Sequence, residues 1–144
     1  MASTAVHLEA QRFDDKDTQR VFVGGFSQGA DLALSIFLRS TVQLGGVFAL
    51  SGMVPLEPKN MATGAPALQM QGDTPIFLYN GLRDDRYLYD IVTESYKYLK
   101  DTIYKTKTAN YTAKTQDIGH TWSTQSIEEG KLWLAAKTKR FDPE

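Results

Sequence analysis

The sequence predicts an α/β fold, a mostly parallel sheet of about four strands flanked by helices. Two observations lead to this prediction. Short apolar runs that stop at glycine or turn-forming residues occur at 21–23, 45–50 and 75–79, and such runs are typical of buried strands. Stretches with apolar residues at helical spacing follow the first and the third run. This alternation favours parallel strands with helices packed on the faces of the sheet.

Two helices are predicted inside the chain. The first lies over about 30–38, where Leu32 and Ile36 add apolar side chains to the side opposite the main stripe. We therefore expect this helix to be buried nearly all round. The second follows an apolar stripe over 88–103. Its members are Leu88, Ile91, Val92, Ser95, Leu99 and Ile103.

The other segments are less regular. Residues 56–73 contain Pro, Gly, Asn and Met without a clear period, and we expect a long loop there. Residues 109–115 predict a fourth, more polar strand near an edge of the sheet. A last helix is expected from Ser123 or Ser126 to Lys137, with Ser126 and the glutamate three residues later resembling a capping box.

Composition excludes several classes of protein. The 144 residues are 42% hydrophobic and 23% charged, which fits a single globular domain over 1–144. A formal charge of −1 provides no basic field for nucleic acid, and the lysines over 97–114 are interpreted as a solvated surface. The chain has no cysteine, so disulfides and thiolate chemistry are excluded. We also find no signal-peptide pattern and no apolar run of roughly 20 residues, and the sequence fits a cytoplasmic protein.

Gly-Phe-Ser-Gln-Gly at 25–29 is the strongest chemical signal. It follows a predicted strand and opens a predicted helix, which is the context of a nucleophile elbow. Side chains two residues to either side of the serine would collide in so tight a turn, which explains both glycines. The start of the helix also favours negative charge in a transition state. The pattern therefore predicts that Ser27 is a nucleophile.

A nucleophilic serine needs a base and an orienting carboxylate. Of the two histidines, His7 precedes the first strand and is interpreted as solvated, whereas His120 lies in a loop after the fourth strand. Asp84 and Asp85 both follow the third strand; we choose Asp84, with Asp85 as the fallback. The order Ser27, Asp84, His120 matches α/β-hydrolases. The alternative is that these histidine and aspartate side chains are ordinary solvated loop residues.

Several segments together resemble the acyl-protein thioesterase family, also described as phospholipase/carboxylesterases. The resemblance extends over nearly the whole chain and implies the C-terminal half of an α/β-hydrolase fold. The segments are Gly-Gly-Phe-Ser-Gln-Gly within 21–34, Leu-Ser-Gly-x-x-Pro at 50–55, Asn-Gly-x-x-Asp at 80–84, Gly-His at 119–120 and Lys-Leu-Trp-Leu at 131–134.

The resemblance implies the roles of four residues. Ser27 would be the nucleophile, His120 the general base and then acid, Asp84 the residue that orients it, and Gln28 a backbone N–H donor to the oxyanion. Substrates of the family are long-chain acyl thioesters on protein cysteines, as in palmitoyl-protein hydrolases, together with lysophospholipids and carboxylic esters. An S-acylated protein or a lipid ester is thus the implied partner.

Other site residues are less certain from the sequence. Met53, Val54 and Leu82 lie beside the strand ends that should form the site, so they could line an acyl channel or simply pack in the core. Two distant histidines and no cysteine make a poor metal site, so no metal or cofactor is expected.

The chain departs from the family pattern in three places. Asn80 replaces the usual histidine, and Asp117-Ile118 replaces the residues that usually precede Gly-His. Only 26 residues precede Ser27, where family members carry several strands and a His-Gly-x-Gly-Asp type loop that supplies a second oxyanion N–H. We therefore expect an exposed edge at Val21–Val23, where the chain could self-associate.

Three explanations of the short N-terminal part stay open. The chain could be a fragment of a longer thioesterase, a truncated paralogue with little activity, or a subunit whose exposed strand is covered by a partner. The first two are favoured jointly. The function that competes with a hydrolase is accordingly a binding or interaction module built on a hydrolase remnant.

Overall fold

The computed structural model describes residues 2–55 and 65–143. The elements in chain order are α1 (Ala2–Ala10), β1 (Phe22–Phe26), α2 (Gln28–Arg39), β2 (Gly46–Leu50), α3 (Ala65–Gly72), β3 (Ile76–Gly81), α4 (Tyr89–Tyr98), β4 (Tyr111–Gln116) and α5 (Thr124–Thr138). Short 3₁₀ turns precede β1 and β4 and follow α5, and α4 continues into a π-helical turn over Leu99–Ile103.

The four strands form one parallel sheet in the order β1-β2-β3-β4. This confirms the predicted class and strand number, and β4 lies at an edge as expected. Phe26 pairs with Leu50, and Leu50 pairs with Tyr79, so these strands end at a common level. Because carboxyl ends of parallel strands share one edge of the sheet, the loops after β1, β3 and β4 are brought together there.

Alternate side chains of the central strands build two cores. Val47 and Ala49 of β2 face α2 and α4, whereas Phe48 and Leu50 face α5. The smaller core is aromatic: the Phe48 and Phe77 rings stack with centroids 5.2 Å apart, and Trp133 packs beside both. Full burial of such a side chain is worth about 1.5–3 kcal/mol. These two cores fix the sheet that positions the loops.

Two predicted helices are less buried than expected. Leu32 on α2 is 62% exposed, so the expectation of burial nearly all round is wrong. The reason is that α2 packs on one face of the sheet and leaves its other side to solvent. Leu88 and Ile91 are also about half exposed, because α4 begins only at Tyr89 and contacts the core from Val92 onwards.

Two local predictions are corrected as well. The expected loop over 56–73 contains helix α3, in which the helix formers Ala, Leu, Gln and Met lie between Pro66 in the first turn and Gly72 at the end. Residues 56–64 lie outside the described residues. The last helix is capped by Ser123 rather than by Ser126 with Glu129. The Ser123 hydroxyl accepts from Ser126 N–H at 3.0 Å, and the Ser126 hydroxyl accepts from Ser123 N–H at 2.8 Å.

Candidate active site

Ser27 occupies a strained turn between β1 and α2. Its backbone lies at φ 56° and ψ −122°, a conformation that residues other than glycine rarely adopt. The surrounding hydrogen bonds hold it there: Ser27 N–H donates to Leu50 C=O at 2.9 Å, and its own C=O accepts from Ala30 and Asp31. The hydroxyl is therefore presented at the carboxyl edge of the sheet.

The two motif glycines are not equivalent. A Cβ on Gly25 would lie 2.3 Å from the carbonyl carbon of Gly29, so the strand could not pass the start of α2. A Cβ on Gly29 would meet nothing within 4 Å. The expectation that both positions exclude side chains is thus wrong at Gly29, because this residue faces outward on the first turn of the helix.

The structure brings the three sequence-predicted side chains into one hydrogen-bonded row. His120 Nε2 lies 2.8 Å from Ser27 Oγ, and His120 Nδ1 lies 2.7 Å from Asp84 Oδ2. A carboxylate only accepts, so Nδ1 carries the proton that it donates to Asp84. The lone pair of Nε2 is then left to accept the serine hydroxyl, which is the arrangement a general base requires.

Asp84 is the carboxylate that lies in this row, and Asp85 is exposed to solvent. Asp84 is only 4% exposed, and its second oxygen accepts from the N–H groups of Arg86 and Tyr87, both at 2.8 Å. Burial raises the pKa of this carboxyl group, but hydrogen bonds from those two N–H groups and from the imidazole outweigh burial and lower the pKa below its usual value. The group is therefore ionised near neutral pH.

The loops that carry Asp84 and His120 are joined to each other. Leu82 N–H donates to Gln116 C=O at 2.9 Å, and Arg83 N–H donates to Ile118 C=O at 3.0 Å. Gly81 permits this approach, since a Cβ there would lie 2.4 Å from the carbonyl oxygen of Ile118. His120 and Asp84 are thus positioned by two loops whose backbones are hydrogen-bonded to each other.

Asn80, at the end of β3, is buried beneath the site. Its amide donates to Gly52 C=O at 2.9 Å, and its side-chain oxygen lies 2.7 Å from the Tyr96 hydroxyl. Burial raises the pKa of the Tyr96 phenol well above its usual value, so the hydroxyl stays protonated. Asn80 therefore ties the loop after β2 to β3 and α4.

Gln28 and the three candidate channel residues differ in burial and in position relative to the site. The Gln28 N–H lies in the first turn of α2, directly after Ser27, where a helix offers no carbonyl partner. Val54 is completely buried and its N–H donates to Ser95 Oγ, which favours core packing over channel lining, the two alternatives that the sequence leaves open. Met53 is half-buried against the core, and Leu82 is 46% exposed.

Sequence reasoning missed the residues that surround the imidazole. The rings of Phe26 and Tyr87 lie with centroids 5.3 Å from that of His120, and Trp122 packs edge-on against Phe26 at 4.8 Å. The Tyr87 hydroxyl donates to Asp31 at 2.6 Å. The one available signal was Asp31 itself, a single acid among the mostly apolar residues of α2.

Within residues 2–55 and 65–143, no three His, Asp or Glu side chains are grouped so as to hold a metal ion. None of the helices in this part of the chain has the length and apolar character needed to cross a membrane.

Comparison with known proteins gives the family. Residues 7–136 match the model of the family described as Phospholipase/Carboxylesterase. The chain belongs to this family. Acyl-protein thioesterase 1 of Aspergillus fumigatus is 37% identical over 82 residues, which cover 57% of this chain and 34% of that protein. Acyl-protein thioesterase 1 homolog 1 of Dictyostelium discoideum is 45% identical over 60 residues, covering 38% of this chain and 26% of that protein.

The fold is found in solved structures as well. The crystal structure of Zea mays acyl-protein thioesterase 2 aligns with a TM-score of 0.77 at 24% identity, covering 94% of this chain and 62% of that one. At this identity the likeness shows the fold alone. The alignments with the curated relatives named above cover about a third or less of their length (34% and 26%).

The unequal glycines lead to a test of the elbow. We expect Gly25→Ala to lower both stability and Ser27 reactivity, because its Cβ would overlap backbone atoms of Gly29 that cannot rotate away. Overpacking of this kind costs about 1–3 kcal/mol. Urea denaturation and the rate of reaction with a fluorophosphonate measure the two effects.

Gly29→Ala is the matched control. It adds the same methyl group to the other motif glycine, in open space, and should leave stability unchanged or raise it by up to about 1 kcal/mol through helix propensity. Equal losses in the two variants would contradict this account of the turn.

Proposed function

We propose that this chain is a serine hydrolase that uses Ser27, His120 and Asp84 to cleave acyl thioesters on protein cysteines, carboxylic esters or lysophospholipids through an acyl-enzyme. The observation that carries the proposal is the continuous hydrogen-bonded row from Ser27 Oγ through the imidazole to a buried carboxylate. Membership of the phospholipase/carboxylesterase family supports the same chemistry. The relatives named as acyl-protein thioesterases support the thioester substrate.

In the acylation step, Ser27 Oγ attacks the carbonyl carbon while His120 Nε2 takes the hydroxyl proton. Asp84 stabilises the imidazolium that forms. The carbonyl oxygen becomes an oxyanion, which the Gln28 N–H and the positive end of α2 stabilise. The tetrahedral intermediate then breaks its bond to sulfur or alkoxy oxygen. The leaving group takes the proton from Nε2, and the acyl group stays on Ser27.

Deacylation repeats these steps with water as the nucleophile. His120 takes a proton from water as the water oxygen attacks the acyl carbon. Collapse of the second tetrahedral intermediate breaks the bond to Ser27 Oγ, which recovers its proton from Nε2. The products are a carboxylic acid and the free serine.

Apolar side chains near the site support an acyl substrate rather than a polar one. Trp122, two residues after His120, is 56% exposed, and Leu82, directly after β3, is 46% exposed. Met53 lies half-buried in the loop after β2. Contact with an acyl chain would remove this apolar surface from water at about 25 cal/mol per Å².

The hydrogen-bond donors available to the oxyanion guide the choice between a turnover assay and covalent labelling. We assign one donor, the backbone N–H of Gln28 in the first turn of α2. One such donor is worth about 10²–10³ in rate. Covalent labelling of Ser27 requires a single reaction of the serine and no deacylation, so it is the better first measurement.

The proposal is tested by fluorophosphonate labelling of matched variants. Ser27→Ala should abolish labelling, and Asp84→Asn should slow it about 10⁴-fold because it leaves the imidazole without its orienting carboxylate. Asp85→Asn, a change in the neighbouring exposed acid, should have no effect. His120→Ala should abolish labelling, whereas His7→Ala on α1 should not.

Equal labelling of wild type and Ser27→Ala would exclude Ser27 as the nucleophile. Equal rates for Asp84→Asn and Asp85→Asn would exclude the assigned carboxylate. Urea denaturation of each variant distinguishes loss of the site from loss of the fold.

A second candidate function rests on the outer edge of β1. Within the described residues, β1 pairs with β2 only and ends the sheet. Ser27 N–H and Val21 C=O bond toward β2, so alternation directs the polar backbone groups of Phe22, Gly24 and Phe26 outward. An edge of unpaired backbone groups is a template for another strand. This supports an interaction module that binds a second copy of the chain.

The two candidates are separated by measuring mass and turnover together. Association through β1 predicts a dimer in sedimentation velocity at micromolar concentration, without hydrolysis of p-nitrophenyl or acyl-thioester substrates. A monomer at every concentration with measurable turnover would exclude the interaction module.

A further inference from the structure

Tyr87 contacts two members of the proposed catalytic row, Asp84 and His120, and is hydrogen-bonded to the helix that follows the third. Its N–H donates to Asp84, its ring lies against His120, and its hydroxyl donates to Asp31 in the first turn of α2, the helix that begins directly after Ser27. We propose that Tyr87, fastened by Asp31, is a positioning residue that holds His120 and Ser27 in their hydrogen-bonded arrangement. This inference rests on the proposed hydrolase function.

Asp31 is the fixed end of this arrangement. It lies in the first turn of α2, where the helix favours a negative charge. One carboxylate oxygen accepts from Met53 N–H at 2.9 Å, and the other accepts from the Tyr87 hydroxyl at 2.6 Å. Hydrogen bonds to a carboxylate are about twice as strong as neutral ones. Asp31 therefore joins α2 to the loops after β2 and β3.

The phenol of Tyr87 stays protonated in this setting. The hydrogen bond to Asp31 and then burial raise its pKa, while the neighbouring Ser27 hydroxyl opposes them. The phenol donates its single proton in the hydrogen bond to Asp31.

The ring of Tyr87 restricts the imidazole. The ring centroids of Phe26 and His120 are 5.3 Å apart, with the ring planes tilted by 40°. The ring of Tyr87 lies at the same centroid distance from His120 with a tilt of 44°. His120 is therefore held by two rings as well as by its two hydrogen bonds. Aromatic faces also attract cations, so the rings stabilise the imidazolium formed during acylation.

Simple packing of Tyr87 in the loop would produce fewer contacts. A packing role requires only the apolar ring, whereas here the ring, the hydroxyl and the N–H each meet a different side chain of the site. The hydroxyl is the separable part, since phenylalanine keeps the ring and the N–H. Tyr87→Phe therefore measures the contribution of the hydroxyl, and Tyr87→Leu measures the added contribution of the ring.

The test combines substitutions at Tyr87 and Asp31 with two readouts. The first is the second-order rate constant of fluorophosphonate labelling at Ser27. We expect Tyr87→Phe to lower it about tenfold through loss of a hydrogen bond to a charged group. Tyr87→Leu should lower it about 100-fold, because the imidazole is then free to move out of line. With a p-nitrophenyl ester, kcat should fall and KM should stay nearly constant.

Asp31→Asn and the double variant show whether the two residues act together. Because Tyr87 acts through Asp31, Asp31→Asn combined with Tyr87→Phe should be no slower than the slower single variant. Tyr89→Phe is the matched control: it removes the same hydroxyl two residues further along, in the groove between α4 and β4, and should react like wild type.

The second readout does not depend on activity. The proton on His120 Nδ1, held by Asp84, should give a downfield NMR resonance in wild type that persists in Tyr87→Phe and disappears by solvent exchange in Tyr87→Leu. Urea denaturation confirms that each variant is folded.

The inference would be overturned if folded Tyr87→Leu were labelled at the wild-type rate and kept the wild-type resonance. It would also be overturned if the rate losses of Asp31→Asn and Tyr87→Phe multiplied in the double variant. Unlabelled wild type with a resonance lost only in Tyr87→Leu would refute the hydrolase while supporting the positioning role.

Discussion

The strained backbone at Ser27 is the constraint on which the site depends. A residue other than glycine is held at φ 56° because its N–H is fastened to β2 and its C=O to the first turn of α2. Such strain costs of order 1–3 kcal/mol and persists only where the surroundings over-determine the conformation. The buried faces of β2 and α2 supply that support, and Gly25 supplies the space.

The parallel sheet determines what meets this serine. Strands β3 and β4 end level with each other, and their following loops are hydrogen-bonded, so Asp84 and His120 arrive as one unit. Asp31, in the first turn of the helix that follows Ser27, holds Tyr87 by a hydrogen bond. The site is thus supported from both sides, by the sheet below and by α2 alongside, which is how precise catalytic geometry is maintained in folded proteins.

The sequence was sufficient for the fold class, the four parallel strands and the three residues that the structure places in a row. These depend on local pattern: apolar runs, a glycine-flanked serine, and loop positions after strands. Exposure of Leu32, burial of Val54 and the bond between Asp31 and Tyr87 could not be predicted. They depend on which side of an element meets the sheet and on contacts between distant segments, and no local pattern specifies either.

The central claim is that Ser27 forms a covalent acyl-enzyme, and direct detection of that adduct tests it best. The protein is mixed with a long-chain acyl thioester, quenched in acid within seconds, digested and examined by peptide mass spectrometry. The account predicts an acyl group on the peptide that contains Ser27, lost on incubation before the quench and absent in Ser27→Ala. Acylation at another residue, or turnover of substrate with unmodified Ser27 at every time point, would contradict it.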